Sequence, residues 1–254
     1  MNELLAIVTL IVQIQSGQVV GTATGFFYLK NETIYFVTNR HVVLDNSKGV
    51  KPDILRLKLH TDPKDQTKNA DVDVPLYENG KAKWFDHKDF VSKGIDIVVV
   101  ELDQNKFKNG FAIKALSEKN FVPQDLLVST GEDVIVIGFP RGLSDATHNL
   151  PLVRNAMIAS SYGVNFSGRP LFIVDANLQP GMSGSPVMVK PKDVWADKQG
   201  GIRFTTGSPT YFLGVFSATL GVNLPNGQQE QLGLGAVWYG YLIEEIIATI
   251  KKIP

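Results

Sequence analysis

Short runs rich in β-branched and aromatic residues alternate with polar, turn-forming stretches along the chain. Ten runs read as strands: Val8–Gln15, Gly25–Leu29, Thr33–Thr38, Ile54–Leu59, Asp96–Leu102, Glu132–Phe139, Leu171–Ala176, Ser185–Lys190, Thr210–Thr219 and Gly233–Trp238. Most are bounded by Gly, Pro, Asn or Asp. Only the tail, Tyr241 to Ile250, carries apolar residues at helical spacing: Leu242, Ile243, Ile246, Ile247 and Ile250. Many short strands and one terminal helix argue against β-α-β alternation and for an all-β barrel or sandwich. The polar stretches Asp45–Pro52, Thr61–Asp73, Asp103–Gly110, Arg141–Leu150, Lys190–Gly207 and Leu224–Gln231 read as surface loops. A boundary near Lys114–Leu127 divides the strands into two sets, giving domains 1–120 and 121–254 that are expected to pack closely.

The apolar run Leu4–Ile14 is too short to span a bilayer, which takes ~20 residues. Glu3 precedes it, and no small-x-small cleavage site follows. It reads as a short helix or first strand, so a cytoplasmic chain with no membrane role is expected. Composition narrows the chemistry. The 254 residues include 25 Lys plus Arg and 25 Asp plus Glu. A nucleic-acid partner is therefore not expected, since phosphate binding wants clustered excess cations. The absence of Cys removes disulfides, thiolate metal sites and Cys nucleophiles. The histidines are His41, His60, His87 and His148; no two stand three or four apart, so no metal site and no cofactor is expected. His60, His87 and His148 lie in or beside polar contexts and read as surface residues.

Three segments carry candidate chemistry: VTNRHVV with His41, GIDIVVVEL with Asp96, and PGMSGSPV with Ser183. A serine hydroxyl becomes a useful nucleophile when a base takes its proton, and a carboxylate then holds the imidazole. The Gly-x-Ser turn can turn the N–H groups of Gly181 and Ser183 toward an oxyanion. Chain order separates the convergent solutions. No His follows His148, which excludes the order Ser, acid, His; no Asp precedes His41, which excludes Asp, His, Ser. His41, Asp96, Ser183 is the chymotrypsin order. Taken alone, His41 could be a core histidine and Asp96 a strand-start residue. Asp45 competes on paper as the acid, and Ser185 as the nucleophile. The GFPRG turn, Gly138–Gly142, lacks the Lys-Ser/Thr end of a phosphate loop and reads as a strand-to-turn junction.

The chain resembles the trypsin-like serine peptidases of the disulfide-free bacterial type, near the high-temperature-requirement (Deg) proteases and the glutamyl endopeptidases. The matching segments are GTATGFFY, TNRHVV, GIDIVVVEL, VIVIGFPRG, VDANLQPGMSGSPV and FLGVFSAT, in the family's order. The resemblance implies two six-stranded antiparallel β-barrels with a C-terminal helix. The cleft between the barrels would hold His41 and Asp96 from the first and Ser183 from the second. It implies endopeptidase chemistry on a polypeptide substrate through an acyl-enzyme. The alternatives are a catalytically idle binding or scaffold module and an esterase-like hydrolase on the same site. By register, Asn177 falls at the base of the first specificity pocket, with Ala218 and Thr219 on its wall, and Ser217 matches a serine that bonds the acid. A neutral Asn177 and Phe216 point to an uncharged residue at the cleavage position. Met182 stands where animal trypsins carry the Asp that pairs with a new N-terminus, so no N-terminal activation cleavage is expected. The chain stops at Pro254 after the tail helix. An appended peptide-binding module is therefore not expected, and the chain would either work alone or take regulation or targeting from a partner chain.

Overall fold

The computed structural model describes residues 4–250. In the first half run β1 (Val8–Gln15), β2 (Gln18–Lys30), β3 (Thr33–Thr38), the single-turn α1 (Arg40–Val43), β4 (Ile54–His60) and β5 (Asn69–Pro75). A small hairpin of β6 (Tyr77–Glu78) and β7 (Lys81–Ala82) leads to β8 (Trp84–Asp86), α2 (Phe90–Lys93), β9 (Val98–Glu101) and α3 (Gln104–Gly110). The large sheet is antiparallel in the order β5-β4-β1-β2-β3-β9-β8. The second half contains β10 (Asp133–Gly138), β11 (Leu152–Ile158), β12 (Leu171–Asp175), β13 (Pro186–Val189), a hairpin of β14 (Val194–Ala196) and β15 (Ile202–Phe204), β16 (Phe212–Asn223) and β17 (Gln229–Tyr239). Six of these close into a barrel, β10-β11-β12-β17-β16-β13, and α4 (Tyr241–Ile250) follows. The fold is mostly β and chymotrypsin-like, with its C-terminal helix. The hydrogen-bonded order of its first unit holds seven strands and runs from β5 to β8.

The legible strands are rich in β-branched and aromatic residues, and where one face meets water they alternate. In β4, Leu55, Leu57 and Leu59 point into the core while Arg56 and Lys58 point away, as a period of two requires. Two strands were hidden by composition. β5 lies within the stretch read as a loop, because Asn69, Asp71 and Asp73 dilute its apolar content. Yet Val72 and Val74 are buried, and Asp73 faces Arg56 of β4 in an ion pair of 2.7 Å. β11 is exposed at most positions and takes its form from the ladder to β10. Two other loop stretches also hold elements. Asp103–Gly110 is α3, capped by the Asp103 carboxylate accepting from Asn105 N and Lys106 N, and Lys190–Gly207 contains the β14–β15 hairpin.

Three apolar clusters hold the molecule. One fills the first sheet around Phe27, Phe36, Leu55 and Val100. One fills the barrel around Phe172, Val187, Trp195 and Val237. The third draws on both halves: Phe26, Val37 and Val99 meet Ile137, Phe139, Phe212 and Trp238, and Ile243, Ile246 and Ile247 of α4 seal its side. That shared core fixes one half against the other, since close-packed interiors resist sliding.

Candidate active site

The acid and base come together through strand pairing. β3 and β9 are antiparallel neighbours, with Thr38 opposite Val98. His41 follows β3 on α1, and Asp96 precedes β9 between buried Ile95 and Ile97. Asp96 Oδ1 accepts from the His41 backbone N–H at 2.9 Å, and Oδ2 lies 2.7 Å from His41 Nδ1. The same Oδ2 accepts from Ser217 Oγ at 2.6 Å. Asn39 Nδ2 donates to the Asp96 carbonyl at 2.7 Å, fixing the backbone of the acid as well. In the tautomer that donates from Nδ1 to this carboxylate, Nε2 is left as the acceptor.

The serine loop is built by glycine geometry. Gly181 and Gly184 have φ of +93° and +86°. A Cβ on Gly184 would lie 2.1 Å from Thr24 O and 2.5 Å from Thr38 Oγ1. The first half thus presses directly on the loop, with Thr24 as the contact. Thr24 N donates to Ser183 O at 2.9 Å and Thr24 Oγ1 to Gly181 O at 2.8 Å, while that hydroxyl accepts from Phe139 N at 3.0 Å. Around the turn, Met182 N, Gly184 N and Ser185 N bond Gln179 O, Phe216 O and Met182 O. Among the described residues, the N–H groups of Gly181 and Ser183 have no acceptor. Both residues line one cavity, and unpaired N–H donors are what an oxyanion would need there. Ser183 Oγ donates to the Ser217 carbonyl at 3.1 Å rather than to His41. Ser185 is fully buried with an unpartnered hydroxyl, out of reach of any substrate. Asp45 turns to its own loop, accepting from Ser47 N and Oγ.

The model of the trypsin-like peptidase domain matches residues 23–193. The chain belongs to that family. It is similar in fold to a serine endoprotease from Yersinia pestis, at 13% identity and a TM-score of 0.56, covering 99% of this chain and 66% of that one. It is also similar to a protease from M. tuberculosis in its active form, at 17% identity and a TM-score of 0.50, covering 97% of this chain and 81% of that one. The inactive form of that protease gives 16% and 0.50, over 98% and 90%. The chain thus spans about two-thirds of the length of the first of these structures. No curated protein matches it.

Two cavities that share Ser183 and a third beside them mark the site of this trypsin-like domain. One, of about 390 Å³, is lined by His41, Ser183, Ser217, Ala218 and Thr219, with Asp45 and Lys48 at its edge. A second, of about 340 Å³, is lined by His41, Gly181 and Ser183 together with Gly21–Ala23, Lys48 and Arg141. Asn177 lies in neither. It lines a third, of about 580 Å³, with Leu178, Gln179, Pro180, Thr219 and Gly233. There its carbonyl accepts from Arg154 Nη2 at 2.8 Å. A further apolar cavity of about 390 Å³, between Phe121, Tyr162, Phe212 and Tyr241, contains none of His41, Asp96 and Ser183. Among the described residues, no group of three or more His, Asp or Glu side chains is gathered as a metal would need.

Two nearby carboxyls are perturbed in opposite directions. Burial pushes the Asp86 carboxyl up, opposed by the Arg40 guanidinium 3.0 Å away. The Ser47 hydroxyl holds Asp45 below its ordinary range, with Lys48 adding to the effect. Two of the other histidines correct the surface reading, while the His148 side chain is 42% exposed as expected. His60 and His87 are buried: His60 Nε2 lies 2.7 Å from His148 O, and His87 Nε2 lies 2.7 Å from Glu245 Oε2. His148 is half-buried and lies beside Asp145. The polar sequence neighbours of His60 and His87 hid burial that comes from other elements. Thr24, Thr38 and Asn39 are buried supports of the site that the sequence did not single out individually. They lie inside matching segments, but only the fold shows what they touch.

Proposed function

We propose that the chain is a serine endopeptidase in which Ser183 is the nucleophile, His41 the base and then the acid, and Asp96 the group that orients His41. The observation that carries this reading is the Asp96 carboxylate. It binds His41 at both its backbone and its Nδ1 while His41 and Ser183 line one cavity. In the reaction the Ser183 hydroxyl turns from the Ser217 carbonyl to His41 Nε2. Its oxygen then attacks the scissile carbonyl as the proton passes to the imidazole. Asp96 and its Ser217 donor stabilise the imidazolium. The N–H groups of Gly181 and Ser183 receive the developing oxyanion, which matters most because they are already oriented before the charge appears. His41 returns the proton to the leaving amine, and water then hydrolyses the acyl-enzyme by the same route.

The acyl side of a substrate lies along Ser217–Thr219 of β16. This segment pairs with β17 on one side and has left β13 behind at Val215 on the other. Its open edge can take an extended peptide as an added strand. The adjoining cavity with Asn177 and Thr219 takes the side chain at the cleavage position. Its lining side chains carry no charge, which suits an uncharged residue. Treatment with a fluorophosphonate probe is expected to label the wild type and not Ser183→Ala, and a peptide library is expected to be cut only by the former. Labelling that persists in Ser183→Ala would place the nucleophile elsewhere, and no labelling of either protein would favour an idle binding module.

A further inference from the structure

The GFPRG turn enters the site in a way the catalytic chemistry does not use. Pro140–Gly142 forms a 3-10 turn, and Arg141 holds φ +52° there. A left-handed conformation is uncommon in a residue with a Cβ and marks a position held by its surroundings. Here Arg141 N donates to Pro180 O at 2.5 Å, one residue before Gly181. Arg141 is therefore locked against the oxyanion loop. It is exposed, and among the described residues its guanidinium has no hydrogen bond or ion pair.

Across the same cavity, the loop after α1 contributes Lys48. Lys48 is 74% exposed and pairs with Asp45 at 3.4 Å. Asp45 already accepts two hydrogen bonds from Ser47. Besides His41, the charged residues of this wall are Lys48, Arg141 and Asp45, leaving an excess of one positive charge. This cavity shares His41, Ser183 and Lys48 with the one lined by Ala218 and Thr219, but Gly21–Ala23, Gly181 and Arg141 line only this one. A substrate that runs its acyl side along Ser217–Thr219 can send its leaving-group side here, past Arg141 and Lys48.

We propose that Lys48 and Arg141 select substrates carrying an acidic residue in the first two positions on the leaving-group side of the cleaved bond. This rests on the endopeptidase reading and adds a substrate class to it. Neither side chain is needed for the chemistry. Each is an exposed cation on the wall that an acidic side chain of the departing peptide would pass, and complementary charge favours the matched substrate while repelling the mismatched one.

The test compares peptides identical on the acyl side, with Glu or with Lys in those two positions. The wild type is expected to favour the Glu peptide by about fivefold in kcat/KM, the scale of exposed ion pairing. The preference is expected to shrink in high salt, which screens exposed charges. In a Lys48→Gln, Arg141→Gln double variant the ratio is expected to approach one, and in Arg141→Glu to tilt toward the Lys peptide. Because the ratio is taken within each protein, a loss of overall activity does not affect it. A wild-type ratio of one, or a ratio insensitive to salt, overturns the selection while leaving the peptidase intact. No Ser183-dependent cleavage of either peptide overturns the peptidase reading, and this one with it.

Discussion

At the scale of single residues, the site depends on hydrogen bonds that converge on one carboxylate. Asp96 accepts from His41 twice and from Ser217 once. Ser217 is a positioning residue: it touches the acid, and its carbonyl holds the resting Ser183 hydroxyl. Removing its hydroxyl leaves one fewer donor to the anion that must stabilise imidazolium. Ser217→Ala is expected to lower kcat/KM about tenfold, the worth of one hydrogen bond to a charged group. Ser217→Thr, which keeps a hydroxyl for Asp96 Oδ2, should recover most of the rate. A Ser217→Ala variant at wild-type kcat/KM would reduce Ser217 to a packing residue. At the same scale Met182 is fully buried in the barrel core and carries no charge, so it offers no anion for a terminal amine to join.

At the scale of elements, α4 is tied to the first sheet by more than its apolar face. The Tyr28 hydroxyl donates to Glu244, and Lys30 pairs with Glu244 at 2.7 Å and with Glu118 at 2.5 Å. Burial pushes the Tyr28 hydroxyl well above its ordinary range, and the bond to Glu244 and the nearby carboxylates push it the same way. The sign follows from proton counting. Above pH ~10 the unfolded tyrosine loses its proton while the folded one keeps it, so stability falls as pH rises through that window. Thermal unfolding of Tyr28→Phe between pH 8 and pH 11 is expected to show a shallower decline than the wild type. It should also start from a lower melting temperature, since the fastening to α4 is gone. Equal slopes would place the alkaline loss elsewhere.

At the scale of the whole molecule, the two halves meet in a shared core and across Thr24. This threonine belongs to β2, yet it bonds the Gly181 and Ser183 carbonyls and takes the Phe139 N–H, all in the second half. Thr24→Val keeps the shape and strands a buried N–H. The expected cost is about 1–3 kcal/mol, read as a lower midpoint in denaturant. Slower fluorophosphonate labelling should accompany it, because the serine loop loses its outside brace. Normal labelling in a destabilised protein would show that Thr24 holds the halves but not the loop.

Much of this was legible from the chain. Runs of β-branched and aromatic residues marked β1, β3 and β4, helical spacing marked α4, and the order His41, Asp96, Ser183 narrowed the chemistry. What stayed hidden has a common cause. β5 and β11 are strands because neighbours supply the other half of each ladder, and their own side chains mostly face water. His60 and His87 are buried by residues distant in sequence, so their local polarity misled. Local patterning and residue type thus determined most of the core strands, the tail helix and the candidate reacting groups, since these are properties of short segments. Tertiary structure alone decided which backbone groups were left without partners at Gly181 and Ser183, where Thr24 and Ser217 braced the site, and that Lys48 and Arg141 share a wall. Each of those depends on segments far apart in the chain, and packing alone brings them within hydrogen-bonding or charge-pairing reach.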